Sequence, residues 1–206
     1  MIEKNMTIVL QGDSITDAGR REEPRQMGYG YAAMVADTLT AFYRNFDLKI
    51  YNRGISGNKS GDLVGRWGED CLDLRPDLVT MLIGVNDCWH GFDYPEMFVT
   101  TEQYRDNCRY LMESVKNAGA KLVVIEPFIF TEGCPTVEWT KILQPMVFEL
   151  QRLAIDYADK YVPTNGMFIE ASRKYTVKAL SEDGVHPTPF AHRLLAAEVL
   201  KALEVF

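Results

Sequence analysis

Thr7-Ile8-Val9-Leu10-Gln11-Gly12-Asp13-Ser14-Ile15-Thr16 is the stretch that decides how the rest of the chain is read. A short apolar strand ends in glycine, aspartate and serine, and a helix start follows. The same device recurs downstream. Asn52-Arg53-Gly54 follows a second strand, and Gly84-Val85-Asn86-Asp87 follows a third, near-continuous apolar run of the kind expected of a strand covered on both faces. Strand-like runs alternating with helical patterns are the signature of a parallel α/β sheet.

Working outward, strands are expected at residues 7–10, 48–51, 78–83, 122–125 and 161–163, the second of them more polar and nearer a sheet edge. Helical periodicity covers 29–46, 62–72, 101–118, 138–160, 168–175 and 189–203, with Gly119 as a stop signal and Pro145 expected to kink its helix or mark the true start. Pro127 ends the fourth strand. No repeat, linker or low-complexity stretch interrupts the pattern, so residues 1–206 read as one doubly wound domain, long enough to bury roughly 70% of its unfolded surface. In such sheets ligands sit beyond the carboxyl ends of the strands, and the three strand-end segments should open on one edge.

Composition narrows the function classes. The chain is 47% hydrophobic, 11% aromatic and 25% charged, which is ordinary for a globular protein. A net charge of −7 without a Lys/Arg cluster opposes nucleic acid and anionic membrane surfaces as partners. Cys71, Cys88, Cys108 and Cys134 are widely spaced and form no Cys-x-x-Cys pair, so they read as reduced thiols rather than disulfides or a zinc site. The early apolar run Ile8-Val9-Leu10 is too short for a signal core, and a cytoplasmic location is the expectation.

Chemistry is carried by a constellation rather than by any single motif. Acyl transfer needs a nucleophile, an oriented base and donors aimed at the developing oxyanion. Ser14 offers a hydroxyl and its own backbone N–H. His186 in Asp183-Gly184-Val185-His186-Pro187 offers the base, and Asp183 can reach the other ring nitrogen. Gly54 is assigned a backbone N–H donor, and Asn86 a side-chain amide. His192 is the sequence-local rival to His186, but it lies in the last helix, where a surface or packing role is the simpler reading. No ligand set for zinc surrounds His90.

With these residues in view, the chain resembles the SGNH (GDSL) hydrolase family. The match runs in four ordered blocks: Gly12-Asp13-Ser14, Gly54, Gly84-x-Asn86-Asp87 and Asp183-x-x-His186-Pro187. The resemblance implies a flavodoxin-like three-layer α/β/α sandwich with about five parallel strands. It also implies ester hydrolysis through an acyl-serine, with no metal and no cofactor. Thr16 stands where the Gly-x-Ser-x-Gly elbow of other hydrolases has its last glycine. The stretches Asn52–Asn58 and Gly84–Trp89 are similar to those of bacterial intracellular acetyl-xylan esterases, several of which form homo-oligomers. A small-molecule ester, an acetylated oligosaccharide, is therefore the expected partner, and homo-oligomer formation is a further expectation. Ser181 and Glu182 depart from those esterases, in which a large aromatic often precedes the aspartate.

Other residues carry competing readings. Asp13 and Asp87 resemble the carboxylate pair of a glycosidase but are better read as acceptors that hold the oxyanion loops. Asp17 is a candidate substrate contact, with a helix cap as its alternative. Trp89 is a candidate substrate wall, Tyr94 a weaker one and Trp67 a packing residue, while Arg53 reads as an exposed or salt-bridged arginine, with binding of a charged substrate as its alternative. Two further functions compete: a lipase-like, aryl-ester or thioester hydrolase of the same chemistry, and a non-catalytic carbohydrate-binding or scaffold protein.

Overall fold

The structure, a computed structural model, describes residues 1–130 and 138–206. Strands β1 (Thr7–Gly12), β2 (Lys49–Asn52), β3 (Leu78–Leu82), β4 (Lys121–Ile125) and β5 (Lys160–Val162) form one sheet in the order β2-β1-β3-β4-β5. Every pairing is parallel, with Leu10 opposite both Asn52 and Thr80, and Leu82 opposite Ile125. Successive strand residues point to opposite faces, and the sequence fills both faces with apolar side chains. Ile8, Leu10, Leu78, Leu82, Val123 and Ile125 enter one core; Val9, Val79, Met81, Leu122 and Val124 enter the other.

The first core is closed by helices α2 (Tyr31–Phe42) and α9 (Pro189–Ala202), through Val35, Leu39, Leu195 and Val199, with Phe168 of α7 (Thr164–Ser172). The second is closed by α3 (Ser60–Asp70), α5 (Thr101–Asn117) and α6 (Thr140–Tyr157), through Trp67, Leu111, Val115, Met146 and Leu150. The result is a three-layer α/β/α sandwich. Trp67 is fully buried and its indole N–H donates to Ser114 Oγ at 2.8 Å, the packing role expected of it.

Strand order positions the site. β1 is followed by β2 on one side, after which the chain crosses to β3 on the other, so the loops leaving β1 and β3 diverge at a switch point. Three short helices occupy or border this crevice: α1 (Ser14–Asp17), α4 (Val85–Asp93) and α8 (Val177–Leu180). Sequence periodicity does not reveal them, because each spans too few turns to display an apolar stripe.

Pro145 neither starts nor breaks its helix, which runs from Thr140 through it. Its missing N–H would have bonded to the carbonyl of Lys141 in the first turn, so only the opening of the helix loses a bond. The same helix ends at Tyr157, since Ala158 is extended and the chain turns directly into β5. Cys71, Cys88 and Cys108 are buried free thiols, and burial pushes Cys71 and Cys88 up to about 12. Cys134 lies outside the described residues. Among those residues, no helix is long and apolar enough to cross a membrane.

Candidate active site

Ser14 opens α1 at the carboxyl end of β1. Asp13 caps this helix by accepting the Ile15 N–H at 3.0 Å, and Ala18 closes it in a left-handed conformation. So tight a turn lifts the Ser14 side chain out of the sheet edge. Ser14 Oγ lies 2.9 Å from His186 Nε2, and His186 Nδ1 lies 2.6 Å from Asp183 Oδ2. A carboxylate only accepts, so Nδ1 carries the ring proton and Nε2 is left to accept the serine hydroxyl.

The loop holding these two residues is self-braced. Asp183 Oδ1 accepts the N–H groups of Val185 and His186 at 2.9 and 2.8 Å, and Ser181 Oγ accepts the Gly184 N–H at 2.9 Å. Phe130, just beyond β4, donates its N–H to the Gly184 carbonyl at 2.7 Å. Burial pushes the Asp183 carboxyl up, but bonds from the His186 ring and from the His186 and Val185 amides outweigh it and hold the group at about 2. The carboxylate therefore stays charged wherever His186 needs an orienting partner.

The other side of the crevice is built by buried polar residues. Asn86, in the first turn of α4, donates Nδ2 to the Asn58 carbonyl at 3.0 Å. A side-chain amide has two N–H groups, and the second has no acceptor among the described residues. Asp87 accepts the Ser60 N–H at 2.9 Å and the Ser60 hydroxyl at 2.5 Å, tying α4 to the start of α3. Burial pushes Asp87 up to about 6 and Asp13 up to about 7. Both carboxyls accept backbone N–H bonds beneath the loops, which is the supporting role read for them from sequence.

Gly54 is where the expected site and the structure differ. Its N–H is committed to Asn52 Oδ1 at 2.9 Å, and its carbonyl accepts Arg20 Nε at 2.5 Å. A Cβ there would stand 2.3 Å from the Asp17 backbone nitrogen, so the glycine is needed for close packing against α1. Gly57 has the features that Gly54 lacks. It is exposed, its φ is +82°, and its N–H has no acceptor among the described residues. Its neighbours are pinned on both sides of the crevice: Ile55 N–H to the Gly12 carbonyl at 3.1 Å, Ser56 to Asp17, and the Asn58 carbonyl to Asn86. Gly57-Asn58 is itself a turn signal, and reading it as one would have drawn attention to the segment.

Asp17 is also placed differently from the substrate contact considered for it. It is buried and neither caps a helix nor faces the opening. Its carboxylate accepts the Ser56 N–H and hydroxyl at 3.0 and 2.8 Å and the Arg20 N–H at 3.1 Å. Trp89 stands at the rim, its ring 6.1 Å from that of His186 and stacked 5.3 Å from Trp139. Tyr94 is exposed, Arg53 pairs with Asp70 at 3.5 Å, and His192 Nδ1 accepts the Tyr31 N–H at 3.1 Å inside the core. Among the described residues no group of three or more His, Cys, Asp and Glu side chains is arranged to hold a metal ion.

Comparison with known proteins places the chain in a family. The model of the GDSL-like Lipase/Acylhydrolase family matches residues 10–194. An acetylxylan esterase of Geobacillus stearothermophilus is 32% identical over 204 residues, covering 95% of this chain and 93% of that protein. A Parabacteroides merdae protein described as a GDSL-like lipase has a solved structure with a TM-score of 0.93 and 32% identity, covering 100% of this chain and 99% of the other. A catalytic histidine mutant of the Geobacillus stearothermophilus acetylxylan esterase superposes with a TM-score of 0.90 at 30% identity, covering 98% and 95% of the two chains. That esterase has also been solved as catalytic serine and aspartate mutants. These matches make the protein a carboxylic ester hydrolase. It belongs to the GDSL-like Lipase/Acylhydrolase family.

Proposed function

We propose that this protein is a serine esterase that removes short acyl groups, acetyl foremost, from carbohydrate esters such as acetylated xylo-oligosaccharides, with residues 1–206 acting as one domain. The observation that carries the reading is the unbroken line from the Ser14 hydroxyl to His186 at 2.9 Å and from His186 to Asp183 at 2.6 Å. Ser14 Oγ attacks the ester carbonyl carbon while its proton passes to His186 Nε2. Asp183 holds the ring tautomer and steadies the imidazolium. The tetrahedral oxyanion is held by the Ser14 N–H, the free N–H of Asn86 Nδ2 and the Gly57 N–H, with Gly57 taking the role first assigned to Gly54. His186 then returns the proton to the leaving sugar oxygen. Water repeats the sequence on the acyl-serine, releasing the acid and restoring Ser14.

The carbohydrate preference draws support from the acetylxylan esterase relative and from Trp89, whose ring borders His186 and offers an apolar surface to a sugar or a small acyl group. One feature argues for a leaving-group site of its own character. In the Geobacillus stearothermophilus esterase a tryptophan immediately precedes the aspartate whose replacement gives a catalytic mutant, whereas here exposed Glu182 precedes Asp183. The test is a hydrolysis screen pairing acetylated xylo-oligosaccharides with p-nitrophenyl acetate, butyrate and octanoate. Release of acetate from the oligosaccharides, with activity falling along the acyl series, is the expected result. Activity that rises with chain length and spares acetylated sugars would replace this reading with a lipase-like one.

A further inference from the structure

We infer that Arg66 is a positioning residue for the oxyanion side of the site, fixing the nucleophile turn and the Gly57–Asn58 segment at one separation. The inference rests on the serine-esterase reading above.

Arg66 lies on α3, behind the crevice, and bonds neither Ser14 nor His186 among the described residues. Its guanidinium is largely buried and engages five acceptors. Nε donates to Asn58 Oδ1 at 2.6 Å; Nη1 donates to the Arg53 carbonyl at 2.8 Å, Asp70 Oδ2 at 3.0 Å and Gln11 Oε1 at 3.1 Å; Nη2 donates to the Gly12 carbonyl at 3.1 Å. These acceptors belong to separate pieces of the site. Gln11 and Gly12 end β1 just before the nucleophile, Arg53 leaves β2, and Asn58 belongs to the segment that presents Gly57 and holds Asn86.

Burying a cation is costly unless its donors are satisfied, and Asp70 supplies the counter-charge through the 3.0 Å ion pair. A packing role alone would not require so many directions. The planar fork reaches the carbonyl two residues before Ser14 through Nη2 and, through Nε, the side chain of the residue whose carbonyl orients Asn86. All three proposed oxyanion donors are therefore attached to a single rigid plane. Lysine keeps the charge but places its N–H groups on one nitrogen, which cannot span these acceptors. Displacement of catalytic donors by about 1 Å costs on the order of 10²-fold in rate, with ground-state binding little changed.

The experiment measures p-nitrophenyl acetate hydrolysis per active site, with sites counted by stoichiometric release of p-nitrophenol from diethyl p-nitrophenyl phosphate. Arg66→Lys is expected to lower kcat per titrated site by about 10- to 100-fold with KM within about twofold. Asn58→Ala cuts the same joint from its other end and is expected to lower kcat in the same manner. The double variant should fall no further than Arg66→Lys alone. If Arg66→Lys does not fold, the kcat-selective loss in Asn58→Ala carries the test. An unchanged kcat per titrated site with only a lower unfolding temperature, a loss confined to KM, or additive losses in the double variant would overturn the inference. Ser14→Ala assayed in parallel separates the two readings: residual wild-type turnover there sinks the esterase mechanism itself, whereas a dead Ser14→Ala beside an unaffected Arg66→Lys sinks only the role of Arg66.

Discussion

The two walls of the crevice are built in opposite ways. The wall carrying Asp183 and His186 is local and open: both side chains are about half exposed, at 50% and 42%, and most bonds that hold Asp183 come from within residues 181–186. The wall carrying Ser14, Gly57 and Asn86 is assembled from three strand ends and buried beneath. Asp13, Asp87 and Asn52 are at most 3% exposed, and their partners come from α1, α3 and the turn after β2. On the mechanism proposed above, the difference follows from what each wall must do. A base and its carboxylate need only each other, and a short turn sets their spacing. Oxyanion donors must converge on one atom from distant parts of the chain, which takes a buried polar network with its donors and acceptors matched.

The sharpest way to test the local wall is Asp183→Asn, which keeps the shape of the turn but lets the amide select the wrong ring tautomer. Turnover should drop by about 10⁴-fold with the fold intact by circular dichroism. On the buried wall, Asn86→Ala removes one donor among several and should cost about 10²–10³-fold in kcat. A smaller effect separates the two glycines of that wall. Gly54→Ala drives a methyl into the α1 backbone and should destabilise by about 3 kcal/mol in urea unfolding. Gly57→Ala meets only His90 Cε1 at 4.0 Å and should cost about 1 kcal/mol, for its left-handed backbone. Equal losses would erase the distinction drawn between them.

The mildest contrast is in pH. Asp13 and Asp87 sit at about 7 and about 6 in the folded protein, above the ordinary carboxylate value near 4. The folded state thus keeps protons that the unfolded chain has released, so this contribution to stability is full below about pH 4 and is lost as pH rises toward 7. Asp183, held at about 2, works in the other direction: its contribution is present above about pH 4 and lost as pH falls toward 2. Asp13→Asn should flatten the decline between pH 4 and 7 in unfolding free energy, leaving the acid limb unchanged. A slope identical to wild type would show that Asp13 does not titrate in this range.

Much of this architecture was legible beforehand, for identifiable reasons. Strands β1, β3 and β4 were plain in the sequence because burial on both sheet faces demands runs such as Leu78-Val79-Thr80-Met81-Leu82, whereas β2 and β5 at the edges carry weaker apolar signals. Ser14, Asn86, Asp183 and His186 stood out because each follows a strand or occupies a turn, where chemistry-bearing side chains face the crevice. That the Gly54 N–H is taken was not legible, because it depends on where Asn52 points its side chain. Arg66 was hidden in the same way, since a helical arginine gives no sign in sequence of the five acceptors it will reach. Asp17 misled for a third reason: a carboxylate three residues after Ser14 can face outward or clamp Ser56, and only the packing of α1 decides.

The most direct measurement of the central claim is covalent capture. The protein is treated with a p-nitrophenyl alkylphosphonate, digested and mapped by mass spectrometry, with His186→Ala as the companion. The account predicts one adduct per chain, on Ser14, formed far more slowly in His186→Ala. An unmodified Ser14, or an adduct formed equally fast without His186, would contradict it.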